Sequence, residues 1–376
     1  MRPKMRIDVM TAEEVELIHE SSLEILQQAG FRIPNRRILK MFADASATVN
    51  FENETVKIPP RMVEDALKRA PRFDESAQTD EAPMNLSAVM PSEAYIVDYN
   101  TKTRRPGVLE DVVKGIALCN ELPNIGMLMP IVFPEDAPRE QADVICQLLQ
   151  FAFGKKPSGT WIYSVESART ILEMYDVMGD DIKGPLFYIL EPISPLQFPR
   201  HGLEISLLFA EKGLPVFVGP MAQSGLTAPV TPAGTIVIQN TENLATLVML
   251  DLLGGLPLLC YGGSAHAPDM RNMVCSFGSP NNILMALGLL QMARRYRLAF
   301  SCNMGLTDAM LPDFQGGFEK GVEMALAMTG GGYLTSFGMQ GIVGPDQGAS
   351  FEQLVIDDEW LSYLNYVCNG MTVSRD

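Results

Sequence analysis

The chain has 376 residues, 47% apolar and 20% charged, which is enough for a large core and too apolar for disorder. Its net charge of −16 argues against nucleic acid or an anionic membrane surface as the main partner and suits a cationic ligand. The six cysteines show no C-x-x-C spacing, the N-terminus has no apolar leader, and no apolar run is long enough to span a bilayer, so a reduced cytoplasmic protein is expected.

The first predicted element is a helix over TAEEVELIHESSLEILQQA, where Thr11 and Glu14 form a capping box and Gly30 ends the run. NRRILKMFADA predicts a second helix, and NFENETVKI a β-hairpin turning near Asn53–Glu54. Pro60 opens RMVEDALKRA and Pro71 stops it. AYIVDYNTKTRRPG predicts another hairpin. Residues 1–107 thus form a helical and hairpin extension without a βα repeat.

From 108 to 376 the rhythm changes. Strand-like runs recur at IGMLMPIVF, PSGTWIY, GPLFYILEP, LPVFVGP, LPLLCYGG, RLAFSCNMG and GGYLTSFGMQ. Helical segments at 138–153, 165–178, 199–212, 233–254, 280–296, 316–329 and 352–367 separate them. Two-sided apolar strands alternating with helices imply a parallel sheet covered on both faces, and seven such units predict an α/β protein of the TIM-type (β/α)8 barrel class. The eighth strand comes from the N-terminal hairpin region or lies beyond Asp376. In such barrels the loops after the strands carry the site. VGPMAQSGLTAPVTPAG, residues 218–234, is one of these loops, but its three prolines remove N–H donors and it holds no Lys or Arg. It reads as a rigid uncharged wall and not as a phosphate cradle. Gln239, Asn240 and Glu242, in the helix that follows, are expected to bond that loop and hold its shape.

Several motifs in order resemble the trimethylamine methyltransferase family, whose members move a methyl group from a methylated amine to the cobalt of a corrinoid protein. They are YIVDYNTKTRRPGVLED, ELPNI, KKPSG, GPMAQSGLTAPVTPAGTIVIQNTENLA, DAMLPDFQGGFEKG and SFEQLVIDDE, and the resemblance spans essentially the whole chain. Family members usually continue well past the point equivalent to Asp376, so the chain reads as truncated at its C-terminus. The archetypal trimethylamine enzyme carries pyrrolysine, placed by the resemblance near SFGMQGIVG, where this chain has only standard residues. The resemblance is therefore to the branch without pyrrolysine, whose characterised members demethylate quaternary amines such as glycine betaine. It implies a corrinoid protein as partner, its Co(I) corrinoid as methyl acceptor and no cofactor bound by the chain itself. A small methylated amine is the implied substrate, and a homo-oligomer is expected.

Loss of a methyl group from a quaternary ammonium expels a neutral tertiary amine and needs no proton donor; the Co(I) nucleophile supplies the attack. The protein must hold the cation with one methyl aimed outward, which calls for aromatic faces and a carboxylate or polar group. Read from strand ends, Glu191, Asn303 and Gln340 are the candidate catalytic residues. Trp161, Tyr163, Tyr188, Tyr261, His266, Asp308, Phe337 and Met339 are candidate substrate contacts. The aromatic residues serve equally as barrel-wall packing, and His266 as a loop cap. A zinc-dependent corrinoid methyltransferase would draw on Cys260, His266 and Cys302, but C-x5-H is not a zinc signature, so no metal is expected. The remaining alternative is a catalytically inactive or truncated amine-binding barrel.

Overall fold

The structure, a computed structural model, describes residues 6–73, 87–89, 92–184, 186–254, 261–328, 334–344, 348–371 and 373. The helices start where side chains can satisfy their free N–H groups. The Thr11–Glu14 box opens Ala12–Gln28, the Asn35 carboxamide opens Arg36–Asp44, and Thr231 caps Pro232–Leu252. Both predicted hairpins form. Thr48–Asn50 pairs with Thr55–Lys57, and Tyr95–Asp98 with Thr103–Pro106. The short strand Phe31–Arg32 adds a third member to the first hairpin.

The helices Leu109–Glu121, Ala142–Phe153, Val165–Met178, Arg200–Glu211, Pro232–Leu252, Pro280–Tyr296, Phe314–Ala327 and Phe351–Asn369 form. Of the predicted strands, PSGTWIY keeps only a bridge at Ser158, and residues 256–260 of LPLLCYGG lie outside the described residues. The parallel strands are short and fall into two tracts. In the longer one Tyr261 bridges to Phe300, and Phe300–Cys302, Leu334–Met339, Ser87–Val89 and Ile125–Met127 follow side by side; Leu128 then bridges to Ser158. The shorter tract pairs Tyr188–Leu190 with Val216–Val218. Beyond it, the Ser264 amide donates to the Pro220 carbonyl and the His266 amide to that of Ala222. The strand Ser87–Val89, which no sequence pattern flagged, belongs to the first 107 residues yet lies inside this parallel set.

The helix Pro232–Leu252 is buried on nearly every side from Thr235 to Leu250. A surface helix would show one apolar stripe; an all-round buried one needs partners on every face. Ala12–Gln28 and Pro60–Arg69 from the N-terminal portion pack on it, as does Pro280–Tyr296. Each large aliphatic side chain buried there contributes roughly 1.5–3 kcal/mol of transfer free energy.

Candidate active site

A cavity with a volume of about 1670 Å³ opens at the ends of the parallel strands. Its wall is drawn from 92–94, 127–142, 161–167, 187–191, 217–221, 262–264, 301–303 and 338, so every parallel segment or the loop after it contributes. Five carboxylates line it (Glu93, Glu135, Glu140, Glu166 and Glu191), against a single basic side chain, Arg139. Five aromatic rings join them, those of Phe133, Trp161, Tyr163, Phe187 and Phe217. A wall of one charge sign, partly screened from water, concentrates ions of the opposite sign.

The sequence places these side chains through strand alternation. Phe187, Ile189 and Glu191 are spaced two apart and face the cavity, whereas Leu190 and Tyr188 turn into the core. Glu191 follows the last residue of its strand, where the Gly219 amide donates to the Leu190 carbonyl at 3.1 Å. Gly219 runs close by, since a Cβ there would lie 3.8 Å from Glu191 Cγ. Trp161 stands between two anchors: the Gly159 amide donates to the Leu128 carbonyl, and the Tyr163 amide to Asp143 Oδ2 at 3.0 Å. Tyr163 packs against Phe133 with ring centroids 5.1 Å apart, and burial raises its hydroxyl pKa well above the ordinary tyrosine value, so it stays neutral. Asn303 is fixed at its backbone by the Ser264 hydroxyl, 3.0 Å away. A Cβ at Gly338 would overlap the Asn303 carboxamide, so glycine gives that side chain its space.

Of the candidate residues, Trp161, Tyr163, Glu191 and Asn303 come together in this cavity. Others are engaged elsewhere. Tyr188 is 6% exposed and packs on Phe209. Tyr261 is 1% exposed and donates its hydroxyl to Asn240 Oδ1 at 2.7 Å, a core bond behind the strand. His266 is 1% exposed with its ring edge-on to Phe277, and burial pushes its imidazole down to about 4, leaving it neutral. Asp308 accepts from the Ser276 hydroxyl and the Phe277 amide, bracing the hairpin Ala267–Asp269/Val274–Ser276. Gln340 is fully buried and donates to the Met304 carbonyl at 3.0 Å, beneath the cavity wall. Phe337 and Met339 sit in the strand Leu334–Met339, but their side chains lie outside the described residues, as do Cys260 and the Cys302 side chain. Among the described residues no three His, Cys, Asp or Glu side chains gather as a metal-binding group.

The sequence reading missed Phe187, Phe217, Phe133, Arg139 and four of the five carboxylates. For Phe187 a signal existed: it shares the parity of Glu191 in PLFYILE, and Tyr188 does not. Phe217 holds the matching position in the strand Val216–Val218. Arg139 and Glu140 lie on the short turn Arg139–Gln141, Glu166 on the first turn of the helix Val165–Met178, and Glu93, Phe133 and Glu135 on loops, which carry no such periodicity.

An α/β fold with a wide, acidic and aromatic-walled cleft at its parallel strand ends has the form of a small-molecule site. The whole chain, residues 1–376, matches the trimethylamine methyltransferase (MTTB) family, and it belongs to that family. It is 29% identical to trimethylamine methyltransferase MttB of Desulfitobacterium hafniense (strain DSM 10664 / DCB-2), over 97% of this chain and 75% of that protein. Against MttB of Methanosarcina barkeri the identity is 28%, over 99% of this chain and 78% of the relative. Against the glycine betaine methyltransferase of D. hafniense (strain Y51) it is 26%, over 99% and 79%. Among solved structures, the hydroxylamine complex of MtmB superposes with a TM-score of 0.61 at 9% identity, over 97% of this chain and 76% of that one, a likeness of fold alone. No helix of the described residues is long and apolar enough to cross a membrane.

Proposed function

We propose that this protein takes a methyl group from a quaternary methylated amine and passes it to the Co(I) corrinoid of a partner protein, working from the cleft at one end of a closed (β/α)8 barrel. The observation that carries the substrate is the composition of the cleft wall: five carboxylates, five aromatic rings and one guanidinium. Aromatic faces attract a quaternary ammonium that has no N–H to donate, and the carboxylates offset part of its lost hydration. Membership of the family supports methyl transfer, and its relatives include trimethylamine and glycine betaine methyltransferases. Only standard residues stand where the resemblance places pyrrolysine, which favours the quaternary substrate.

The cavity volume of about 1670 Å³ exceeds the roughly 300–1,000 Å³ of ordinary small-molecule pockets. The surplus gives a corrinoid face room to approach an amine held at the floor. Attack by Co(I) forms the cobalt–carbon bond while the carbon–nitrogen bond breaks, its electron pair staying on nitrogen; cobalt becomes Co(III) and a neutral tertiary amine leaves. The protein's part is positioning and exclusion of water. Arg139 forms no ion pair among the described residues and suits the carboxylate of a zwitterionic amine such as glycine betaine. Barrel closure is supported by the contribution of all the parallel segments to one cleft and by the Ser264–Pro220 bond beside the shorter tract. In this reading residues 1–107 form an extension that lends Ser87–Val89 to the barrel as its eighth strand.

Calorimetry with glycine betaine, carnitine and trimethylamine tests the reading. A quaternary amine is expected to bind more tightly than trimethylamine, and Glu191→Gln to weaken it by about tenfold, the equivalent of about 1.4 kcal/mol. Preferential binding of trimethylamine, or unchanged affinity in a Glu191→Gln protein of normal thermal stability, contradicts it.

A further inference from the structure

Besides three threonines, the helix Pro232–Leu252 buries the amide and carboxyl side chains of Gln239, Asn240, Glu242 and Asn243, each at most 1% exposed. Leucine at these positions would pack without a desolvation cost, so their bonds explain their presence. Gln239 accepts from the Ala222 amide at 2.9 Å and donates to the Pro220 carbonyl. Asn243 donates to the Gly262 carbonyl at 3.1 Å and accepts from the Gly262 amide at 3.2 Å. Glu242 accepts from the Ser194 hydroxyl at 2.8 Å and the Leu196 amide at 2.9 Å. Residues 239, 242 and 243 share one helix face, and that face holds three successive loops of the cleft wall. Asn240 points the other way, to the Tyr261, Tyr296 and Ser22 hydroxyls.

Glu242 makes the most consequential of these attachments because its loop begins at Glu191. Leu196 adopts φ +60°, a conformation unusual for leucine, and is gripped from both sides. Its amide goes to Glu242, and its carbonyl accepts from the Arg32 amide at 2.9 Å. The Phe198 amide returns to the Arg32 carbonyl, and the Ile193 amide to that of Gln197. The Arg32 guanidinium is turned to Glu54, and the partners of the Glu242 carboxylate are the neutral Ser194 hydroxyl and Leu196 amide. Burial pushes the Glu242 carboxyl up to about 7, against the pull of its two donors.

We propose that Glu242 is a positioning residue, fixing the 191–198 loop and through it the place of Glu191 in the cleft wall. This rests on the reading of the cleft as a quaternary ammonium site. Glutamine preserves the arrangement, since its carbonyl faces the Leu196 amide and its NH2 meets a serine hydroxyl that can accept. Leucine removes both bonds and leaves the part-buried Leu196 amide without its acceptor.

The test compares Glu242→Leu and Glu242→Gln by hydrogen–deuterium exchange of residues 191–198 and by calorimetric titration with tetramethylammonium. In Glu242→Leu, protection at Leu196 is expected to fall selectively and affinity to drop by about tenfold, the same loss expected when the Glu191 charge itself is removed. Glu242→Gln is expected to keep both within about threefold. The effect of Glu242→Leu on affinity is expected to shrink in a Glu191→Gln background, because the two residues act on one contact. Unchanged exchange at Leu196 in folded Glu242→Leu protein, or equal losses in both variants, overturns the proposal. A wild-type protein that ignores tetramethylammonium overturns the reading of the cleft instead, while exchange at Leu196 still decides the clamp.

Discussion

Replacing Lys320 by Met is expected to lower the unfolding free energy by about 3–5 kcal/mol, the usual cost of breaking a buried ion pair from one side. Lys320 and Asp357 have fully buried side chains, 2.9 Å apart. Lys320 also donates to the Gly305 carbonyl at 2.7 Å, while Asp357 accepts from the Gly341 amide at 2.7 Å and from Gln353 Nε2 at 2.8 Å. On the neighbouring turn, Glu323 accepts from the Gly305 and Leu306 amides, and burial pushes its carboxyl up to about 8. This cluster ties the segments after Phe300–Cys302 and Leu334–Met339 to the helices Phe314–Ala327 and Phe351–Asn369. It gives DAMLPDFQGGFEKG and SFEQLVIDDE a shared physical role, with Lys320 from the first and Asp357 from the second. Methionine keeps the apolar stem but leaves the Asp357 charge without its counter-ion. Urea denaturation should show a lower midpoint at an unchanged slope. A loss under about 1 kcal/mol would mean that the interior reorganises around the lone carboxylate.

Trp161→Ala carries the largest expected effect on ligand binding. The indole is half-buried in the cleft wall, and a desolvated cation over such a face gains about 2 kcal/mol or more, so affinity for glycine betaine should fall by roughly thirtyfold. Because the ring faces the cavity, its removal should change the thermal midpoint little. An affinity within about threefold of wild type at equal stability would place the cation away from Trp161.

The helices were legible because capping and apolar periodicity are local properties. Thr11, Pro60 and Gly30 mark boundaries that the fold keeps within a few residues. The strand Ser87–Val89 was not legible: its pairing with Leu334–Met339 is set across a sequence separation that no window spans. Within the site, Glu191 was legible as the residue closing the strand Tyr188–Leu190, and Trp161 and Tyr163 in the segment that follows the Leu128–Ser158 bridge. Tyr188 has the opposite parity to Glu191, and the pleat turns it into the core beside Phe209. The 218–234 loop is held as expected by Gln239, whereas Glu242 reaches the preceding loop at Ser194 and Leu196. Helical spacing told which residues share a face but not which loop that face meets.

Single-turnover spectroscopy with reduced cobalamin reads methyl transfer from a quaternary amine to Co(I) directly. Mixed anaerobically with Co(I) cobalamin and glycine betaine, the protein should convert the Co(I) absorbance to that of methylcobalamin and release dimethylglycine in equal amount. Carnitine and other quaternary amines serve as alternative donors in the same assay. Methylation of Co(I) from trimethylamine and from no quaternary amine would contradict the account.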